Sequence, residues 1–376
     1  MAPQEKRACH EPSRRPSDPA LVHLQELRQC IPKECFVKSL PTAVAYMLLD
    51  YSMWTGALWA ASSLRGSELW STMAGWQQWL FTLLFWNFTG FVMWAIFIIG
   101  HDCGHGTFSD YDWVNDVVGH LTHGSILVPY YPWQLSHRRH HMHHNHVDKD
   151  YSHPWFTKER LQRPEEAQAR FQDRNPLFRL AFPLIGWPLY LLGFPDGCHF
   201  LPFSAHRLWK NTPSIEFYKC IVSASVVVGF LWLLHQQLGG DFGALGYYYL
   251  MPWLVMGWWL VTVTYLQHHD HDTVVYDDRD WQFVLAAFQT IDRKFGFGID
   301  ALHHHITDCH VVHHLFFTKI PHYSLPRATE AMKNYLAKVN LLHLYKARDT
   351  PDFAIRVFRQ YYEKGLRALR PSEIVR

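Results

Sequence analysis

The sequence predicts an all-α integral membrane protein, with four transmembrane helices in two hairpins and a cytosolic helical cap. Three observations carry that expectation. Four apolar stretches of about membrane-spanning length hold no Lys or Arg. Basic residues lie almost wholly outside the two short links that join those stretches in pairs. Of 27 histidines, 21 fall within 101–153 or 268–322, in segments that flank the stretches instead of interrupting them.

Residues 1–40 are polar, with Arg7, Arg14 and Arg15 set against Glu5, Glu11 and Asp18. They contain no apolar run of a secretory signal, and their acidic residues argue against a transit peptide. A cytosolic N-terminal tail is expected there. The spans fall at about Thr42–Ala61, Trp76–Ile99, Cys220–Leu238 and Gly246–Leu266; a crossing needs about 20 mostly apolar residues. The first is the weakest, since it carries Asp50 and several hydroxyls. Short links, Ser62–Gly75 and His235–Leu245, close the two hairpins, so everything outside them shares one side. The links hold one basic residue, Arg65, and the other 34 of 35 Lys and Arg lie opposite. The positive-inside rule makes that side the cytosol.

Two further apolar segments, Trp113–Trp133 and Phe178–Phe194, are interrupted by His120, His123, Pro129 and Pro132, and by Pro183 and Pro188. Both read as interfacial or re-entrant helices on the cytosolic face. Were the first to cross, His101 and His105 would be parted from His137, His140 and His141. Residues 41–345 then form one domain, and 346–376 a cytosolic C-terminal tail. The 17 Trp suit membrane-interface belts. Seven scattered cysteines without a Cys-x-x-Cys pair exclude a disulfide framework and a zinc ribbon. A net charge of +2 points to no nucleic-acid partner.

Chemistry concentrates in three clusters: His101-Asp-Cys-Gly-His105, His137-Arg-Arg-His140-His141 and His310-Val-Val-His313-His314. Residues three and four apart share a helix face, so each cluster can aim its imidazoles at one point. Neutral imidazole suits iron, zinc and copper, and eight such ligands can hold two ions. A ninth is expected from His268, which ends the fourth span, with His304 as the competitor. His143, His144, His146, His269, His271, His303 and His305 are expected at the surface or around the ligands. Asp102, Asp148, Asp150 and Asp308 are placed to accept the other ring N–H of a ligand.

No Gly-x-Ser-x-Gly, His-Glu-x-x-His or Gly-x-Gly-x-x-Gly occurs, so no nucleophile elbow, zincin site or dinucleotide fingerprint is expected. No catalytic group beyond the metal ligands is called for. A metal transporter would carry ionisable residues inside its spans, where this chain has only Asp50 and His235. Two redox metals beneath a membrane-embedded apolar path suggest O₂ activation and attack on an alkyl chain.

These residues resemble the membrane-bound fatty acid desaturases, and among them the methyl-end group of delta-12 and omega-3 enzymes. The resemblance runs from about Ile31 to Lys338. It rests on Ile31-Pro-Lys-Glu-Cys-Phe, the three clusters, Val128-Pro-Tyr-Tyr-Pro-Trp-Gln-Leu-Ser, Thr264-Tyr-Leu-Gln-His268, His304-His-Ile-Thr-Asp-Cys, Ile320-Pro-His-Tyr and Ala328-Thr-Glu-Ala. It implies two iron ions on His101, His105, His137, His140, His141, His310, His313 and His314, with His268 or His304 added. O₂ is then the oxidant, and NADH supplies electrons through a separate cytochrome b5 and its reductase, since no His-Pro-Gly-Gly haem motif is present. The substrate is an acyl-lipid or acyl-CoA, and the location the endoplasmic reticulum membrane, multi-pass, with the histidine boxes facing the cytosol. His305 stands where the family often has Asn. The first box looks omega-3-like and His-Arg-Arg-His-His delta-12-like; omega-3 is favoured. Hydroxylases, acetylenases and conjugases on the same scaffold are the alternative. Tyr130, Tyr131, Trp133 and Trp258 are expected to shape an acyl tunnel or to anchor at the interface.

Overall fold

The computed structural model describes residues 22–373 apart from 151, 165, 194–199 and 201–212. Its architecture is mostly helical. Helix α1 (Leu40–Arg65) begins where the Ser39 hydroxyl accepts the Thr42 N–H at 3.4 Å, with Pro41 in the first turn. Helix α2 (Gly75–His105) runs 31 residues and stops at Gly106, whose φ of 69° is the left-handed conformation that glycine adopts readily. Two helices follow, α3 (Asp112–Gly124) and α4 (Tyr130–His143), then α5 (Pro176–Leu192), α6 (Ser214–Gln237) and α7 (Met251–His268). A short helix, Phe242–Leu245, and a π-turn, Gly246–Leu250, lead straight into α7.

Among the described residues, three helical segments are long and apolar enough to cross a membrane: Gly75–His105, Ile215–Gln237 and Phe242–His268. The first expected span is the 26-residue α1. At roughly 39 Å it has the length, but Asp50, two tyrosines and its hydroxyls dilute its hydropathy below that of the other three. Helix α2 rises about 46 Å, roughly 16 Å more than the thickness of a hydrocarbon layer.

The interior of the bundle is α2 against α7, with α1, α3 and α5 around them. At Gly90 a Cβ would lie 2.6 Å from Val255 Cβ and 2.7 Å from the Pro252 carbonyl, so the α2–α7 contact is closer than any side chain allows. Helix α6 shows most of its apolar face outward, including Ile215, Val222, Val228 and Trp232. Trp113–Trp133 is not one helix: the chain breaks between α3 and α4 at Leu127, with φ 56°, and Pro129. Residues 178–192 form the body of α5 in spite of Pro183 and Pro188, and residue 194 of the expected segment lies outside the described residues. Asn175 caps the helix start by accepting the Phe178 N–H at 3.0 Å, and Gly193 ends it at φ 108°.

The cap holds β1 (Ile291–Lys294), α8 (His310–Phe316), α9 (Leu325–Lys338), β2 (Lys346–Asp349) and α10 (Phe353–Lys364). The strands pair in parallel with Ile291 opposite Lys346. Both expected tails need correction over their described parts. Val22, Leu27, Ile31 and Cys35 are buried in one apolar cluster with Met332 and Leu336 of α9. At the other end, β2 completes the sheet and Tyr361 of α10 stacks on Phe182 of α5 at 4.4 Å. Most of the expected N-terminal tail, residues 1–21, lies outside the described residues.

Candidate metal centre

Four helices converge on one point. Helix α2 delivers His101 and His105 on successive turns, α4 delivers His137, His140 and His141, α7 ends in His268, and α8 carries His310, His313 and His314. Helix α4 reaches α2 over Gly104, where a Cβ would stand 2.7 Å from the Trp133 ring. That ring in turn stacks on His137 at 4.6 Å.

The nine imidazoles fall into two adjoining groups. His101, His105, His137, His141 and His313 bring ligand atoms within 4.8 Å of one another, as do His140, His268 and His314. His310 joins the second group, its Nε2 3.0 Å from that of His268 and 3.1 Å from that of His314. In the first group the Nε2 separations are 3.2 Å for His101–His105, 3.1 Å for His137–His141 and 3.2 Å for His141–His313. The groups abut where His141 stacks on His314 at 4.2 Å.

Outer contacts fix the rings. His140 Nδ1 lies 2.8 Å from Asp150 Oδ1, and the Asp150 carboxylate also accepts the N–H groups of Asn145 and His153 at 3.1 and 3.2 Å. Burial raises the Asp150 pKa, but His140 beside it pulls it below the ordinary carboxylate value. His310 Nδ1 donates to the Ile306 carbonyl at 3.1 Å. Both bonds turn Nε2 inward as a lone pair. Burial first, and neighbouring imidazoles second, hold His137, His141, His310, His313 and His314 well below the ordinary histidine pKa. Neutral rings converging at this density are a donor set for nitrogen-binding transition metals, and two ions fit the two groups.

The remaining expectations divide. His304 stays out of both groups: its Nε2 is 2.8 Å from Asp50 Oδ2 on α1. Asp102 accepts the His322 Nδ1–H at 2.9 Å and stands 3.8 Å from His101 Nδ1. Asp308 faces His305 at 3.1 Å, and Asp148 is exposed. His144 is buried beside a ligand, 4.9 Å from His314, and His269 is buried 5.3 Å from His153. His303 is neither at the surface nor beside the ligands: it is buried against Phe91 and Trp259. The sequence reading did not single out His153, whose ring lies 4.4 Å from His268 and 4.9 Å from His140. It belongs to no repeated cluster, so only proximity in space reveals it.

A cavity of about 130 Å³ opens between α2, α5 and α7. Its lining includes the apolar side chains of Trp94, Phe97, Trp187, Leu260 and Val261 and the imidazoles of His101, His137, His140, His268, His310 and His314. Trp133 lines it, as does Leu366 beyond α10. Tyr131 instead turns to Glu216 and Lys219 on α6.

The fatty acid desaturase family profile matches residues 74–347, and thus takes in all nine converging histidines. The chain belongs to the fatty acid desaturase family. Like other fatty acid desaturases it is an oxidoreductase. It is 40% identical over 323 residues to a delta-12 fatty acid desaturase of Caenorhabditis elegans, covering 85% of this chain and 80% of that protein. An omega-3 fatty acid desaturase of the same organism is 37% identical over 345 residues, 89% of this chain and 79% of its own length. An endoplasmic-reticulum omega-3 fatty acid desaturase of Nicotiana tabacum is 35% identical over 332 residues, 86% and 80% of the two chains. The desaturase family and the histidine donor set agree on a metal-dependent oxidation.

Proposed function

We propose that this desaturase introduces a cis double bond toward the methyl end of an unsaturated acyl chain, at the omega-3 position in preference to delta-12. The observation that carries the reading is the cavity itself. Its lining brings apolar side chains together with six of the nine imidazoles, which is what oxidation of an unactivated methylene pair requires. The reaction balances as –CH₂–CH₂– with O₂, two electrons and two protons giving –CH=CH– and two waters.

His101, His105, His137, His141 and His313 would hold one iron, and His140, His268, His310 and His314 the other. His268 is the ninth ligand on this reading, since His304 is engaged with Asp50. When bound, the irons supply the O₂-dependent removal of two hydrogens from the chain. The protein's own part is positional. Trp94, Phe97, Trp187, Leu260 and Val261 exclude water and hold a flexible chain in one register. Asp150 and the Ile306 carbonyl keep the His140 and His310 rings turned inward.

In the membrane, α1 acts as the fourth span and pairs with α2, while α6 pairs with the helix ending at His268. Both links then lie on the lumenal side. Arg65 supports this arrangement: its guanidinium sits 3.8 Å over the Tyr247 ring, so the two links meet at one end of the bundle. All nine histidines cluster at the other end. An endoplasmic-reticulum location and electrons from NADH through a separate cytochrome b5 and its reductase complete the proposal; an acidic donor suits the basic cytosolic side.

The test is expression in a yeast that makes oleate but lacks polyunsaturates, with a parallel culture fed linoleate and His137→Ala as control. Gas chromatography–mass spectrometry should find an omega-3 acid in the fed culture only. Linoleate made from oleate would move the assignment to delta-12. Hydroxylated or acetylenic products would replace desaturation as the outcome, and no new product from iron-loaded protein would sink the methyl-end reading.

A further inference from the structure

Asp50 and Arg65 are the charged residues of α1, and Asp50 is 1% exposed. A buried carboxylate in an apolar helix is costly unless a partner offsets it. Its partner is far away in sequence: Asp50 Oδ2 lies 2.8 Å from His304 Nε2, itself 2% exposed. His304 and His305 have φ of 53° and 59°, two consecutive side-chain-bearing residues in the left-handed region. Such backbone is strained by about 1 kcal/mol or more per residue. A histidine kept where glycine would relax the turn implies that the direction of its ring matters.

The His304 ring stands 4.6 Å from that of His322, and Tyr46, one helical turn before Asp50, packs edge-on against both at 5.3 and 4.7 Å. His322 donates from Nδ1 to Asp102 Oδ2 at 2.9 Å and from its backbone N–H to the same oxygen at 3.1 Å. Asp102 follows His101 in the last turns of α2, with Oδ1 3.8 Å from His101 Nδ1. A buried polar strut thus runs Asp50–His304···His322–Asp102, and ends beside a ring of the five-imidazole group.

We infer that Asp50 and His304 are positioning residues: through His322 and Asp102 they fix the rotation of the end of α2, and so the direction of His101 and His105. This rests on the assignment of His101 as an iron ligand made above. Asp50 and His304 belong neither to the converging groups of rings nor to the cavity lining. Their loss should therefore alter iron retention and kcat while leaving KM for the acyl substrate in place.

The experiment uses the purified, iron-loaded full chain and compares Asp50→Ala, Asp50→Asn, His304→Gln and Asp50→Leu/His304→Leu with His101→Ala. Iron per chain is measured after a chelator challenge, with Mössbauer spectra of ⁵⁷Fe-loaded protein beside kcat and KM. Supporting contacts of metal ligands are typically worth 10–100-fold in metal affinity or activity. Asp50→Ala should lose iron faster by about that factor, shift the signal of one iron, and leave KM unchanged. Asp50→Asn, which can still accept the His304 N–H, should recover part of the loss. If Asp50→Ala does not accumulate, the double Leu variant decides, because it removes the pair without leaving an unpaired group. Wild-type iron retention and spectrum in the double variant would overturn the inference, as would a KM rise with unchanged iron signals. His101→Ala separates the two levels. If it keeps both irons, the ligand assignment falls and the inference with it; if it loses iron while the Asp50 variants do not, the inference alone falls.

Discussion

Asp150 decides what the His140 ring can do. With Nδ1 held by a buried carboxylate at 2.8 Å, the ring has one free nitrogen, and that nitrogen belongs to the group with His268 and His314. Asp150→Ala should therefore weaken metal retention by about 10–100-fold, measured as iron per chain after dialysis, with the helix content unchanged by circular dichroism. Single-residue arguments also separate the two candidates for the ninth ligand. His268→Ala removes a ring whose Nε2 stands 3.0 Å from that of His310. It should leave about one iron per chain, whereas a ligand role for His304 would require the same loss from His304→Gln without any change at His101. A different residue governs pH dependence. Asp292 accepts the Tyr345 hydroxyl and the Val311 N–H, the latter at 2.8 Å, and burial pushes its pKa up to about 7, with Asp308 adding to the rise. A carboxyl raised in this way stays protonated in the folded chain while the unfolded chain has already ionised. Its contribution is present in full below the ordinary Asp value near 4 and is lost as pH rises to about 7. The melting temperature of Asp292→Asn should gain on wild type between pH 5 and 7, then run parallel to it. A constant difference across that range would refute the shift.

Helices that bury one another's backbone tolerate little added volume. Gly90 is the test, because the Cβ of alanine there would meet Val255 Cβ at 2.6 Å and the Pro252 carbonyl at 2.7 Å. The carbonyl cannot swing aside as a side chain can, so Gly90→Ala should cost about 1–3 kcal/mol, read as a lower melting temperature in detergent. The α2–α7 axis was legible in the sequence because Trp76–Ile99 and Gly246–Leu266 are unbroken apolar runs without a charge, as was α6 over Cys220–Leu238. The three boxes were legible for a related reason: a repeat of three and four residues is a helix face, and its ligands need no long-range information. What local pattern could not reveal was pairing across the chain. Residues 22–39 and 346–373 looked polar enough for tails, yet Leu27 and Ile31 pack under α9 and β2 pairs with β1. The partners are some 300 and 50 residues away, where no periodicity points. The choice of His268 over His304 was open for the same reason, since Asp50, which engages His304, sits 254 positions earlier. Within the Trp113–Trp133 stretch hydropathy saw one segment, and only the backbone turn at Leu127 makes it two helices.

At the scale of the molecule the proposed chemistry requires that all nine histidines share one aqueous side, and that condition constrains how the chain would thread the membrane. The bundle has two distinct ends. At one, Arg65 lies over Tyr247, the Trp86 indole donates to the Tyr247 carbonyl at 2.9 Å, and the links after α1 and α6 come together. At the other, α2 and α7 finish in His105 and His268, and α4 and α8 complete the centre. If α1 failed to cross, the start of α2 could still lie in the lumen, but residues 22–39 could not reach α9, against which they are buried. Burial of that segment thus supports α1 as a span in spite of its modest hydropathy, with Asp50 Oδ2 paired internally to His304. Cysteine labelling of sealed, cytosol-side-out vesicles tests the threading directly. Glu68→Cys and Gln236→Cys, exposed in the two links, should react with a membrane-impermeant maleimide only after permeabilisation. Lys319→Cys, exposed three residues past α8, should react at once, measured against the unmodified chain. Reaction of Gln236→Cys in sealed vesicles would place the second hairpin's link in the cytosol and separate His268, together with His310, His313 and His314, from the first two boxes. Reaction of Glu68→Cys alone would leave the order of α6 and α7 intact but put His101 and His105 across the membrane from the rest, and no single dinuclear centre could then form.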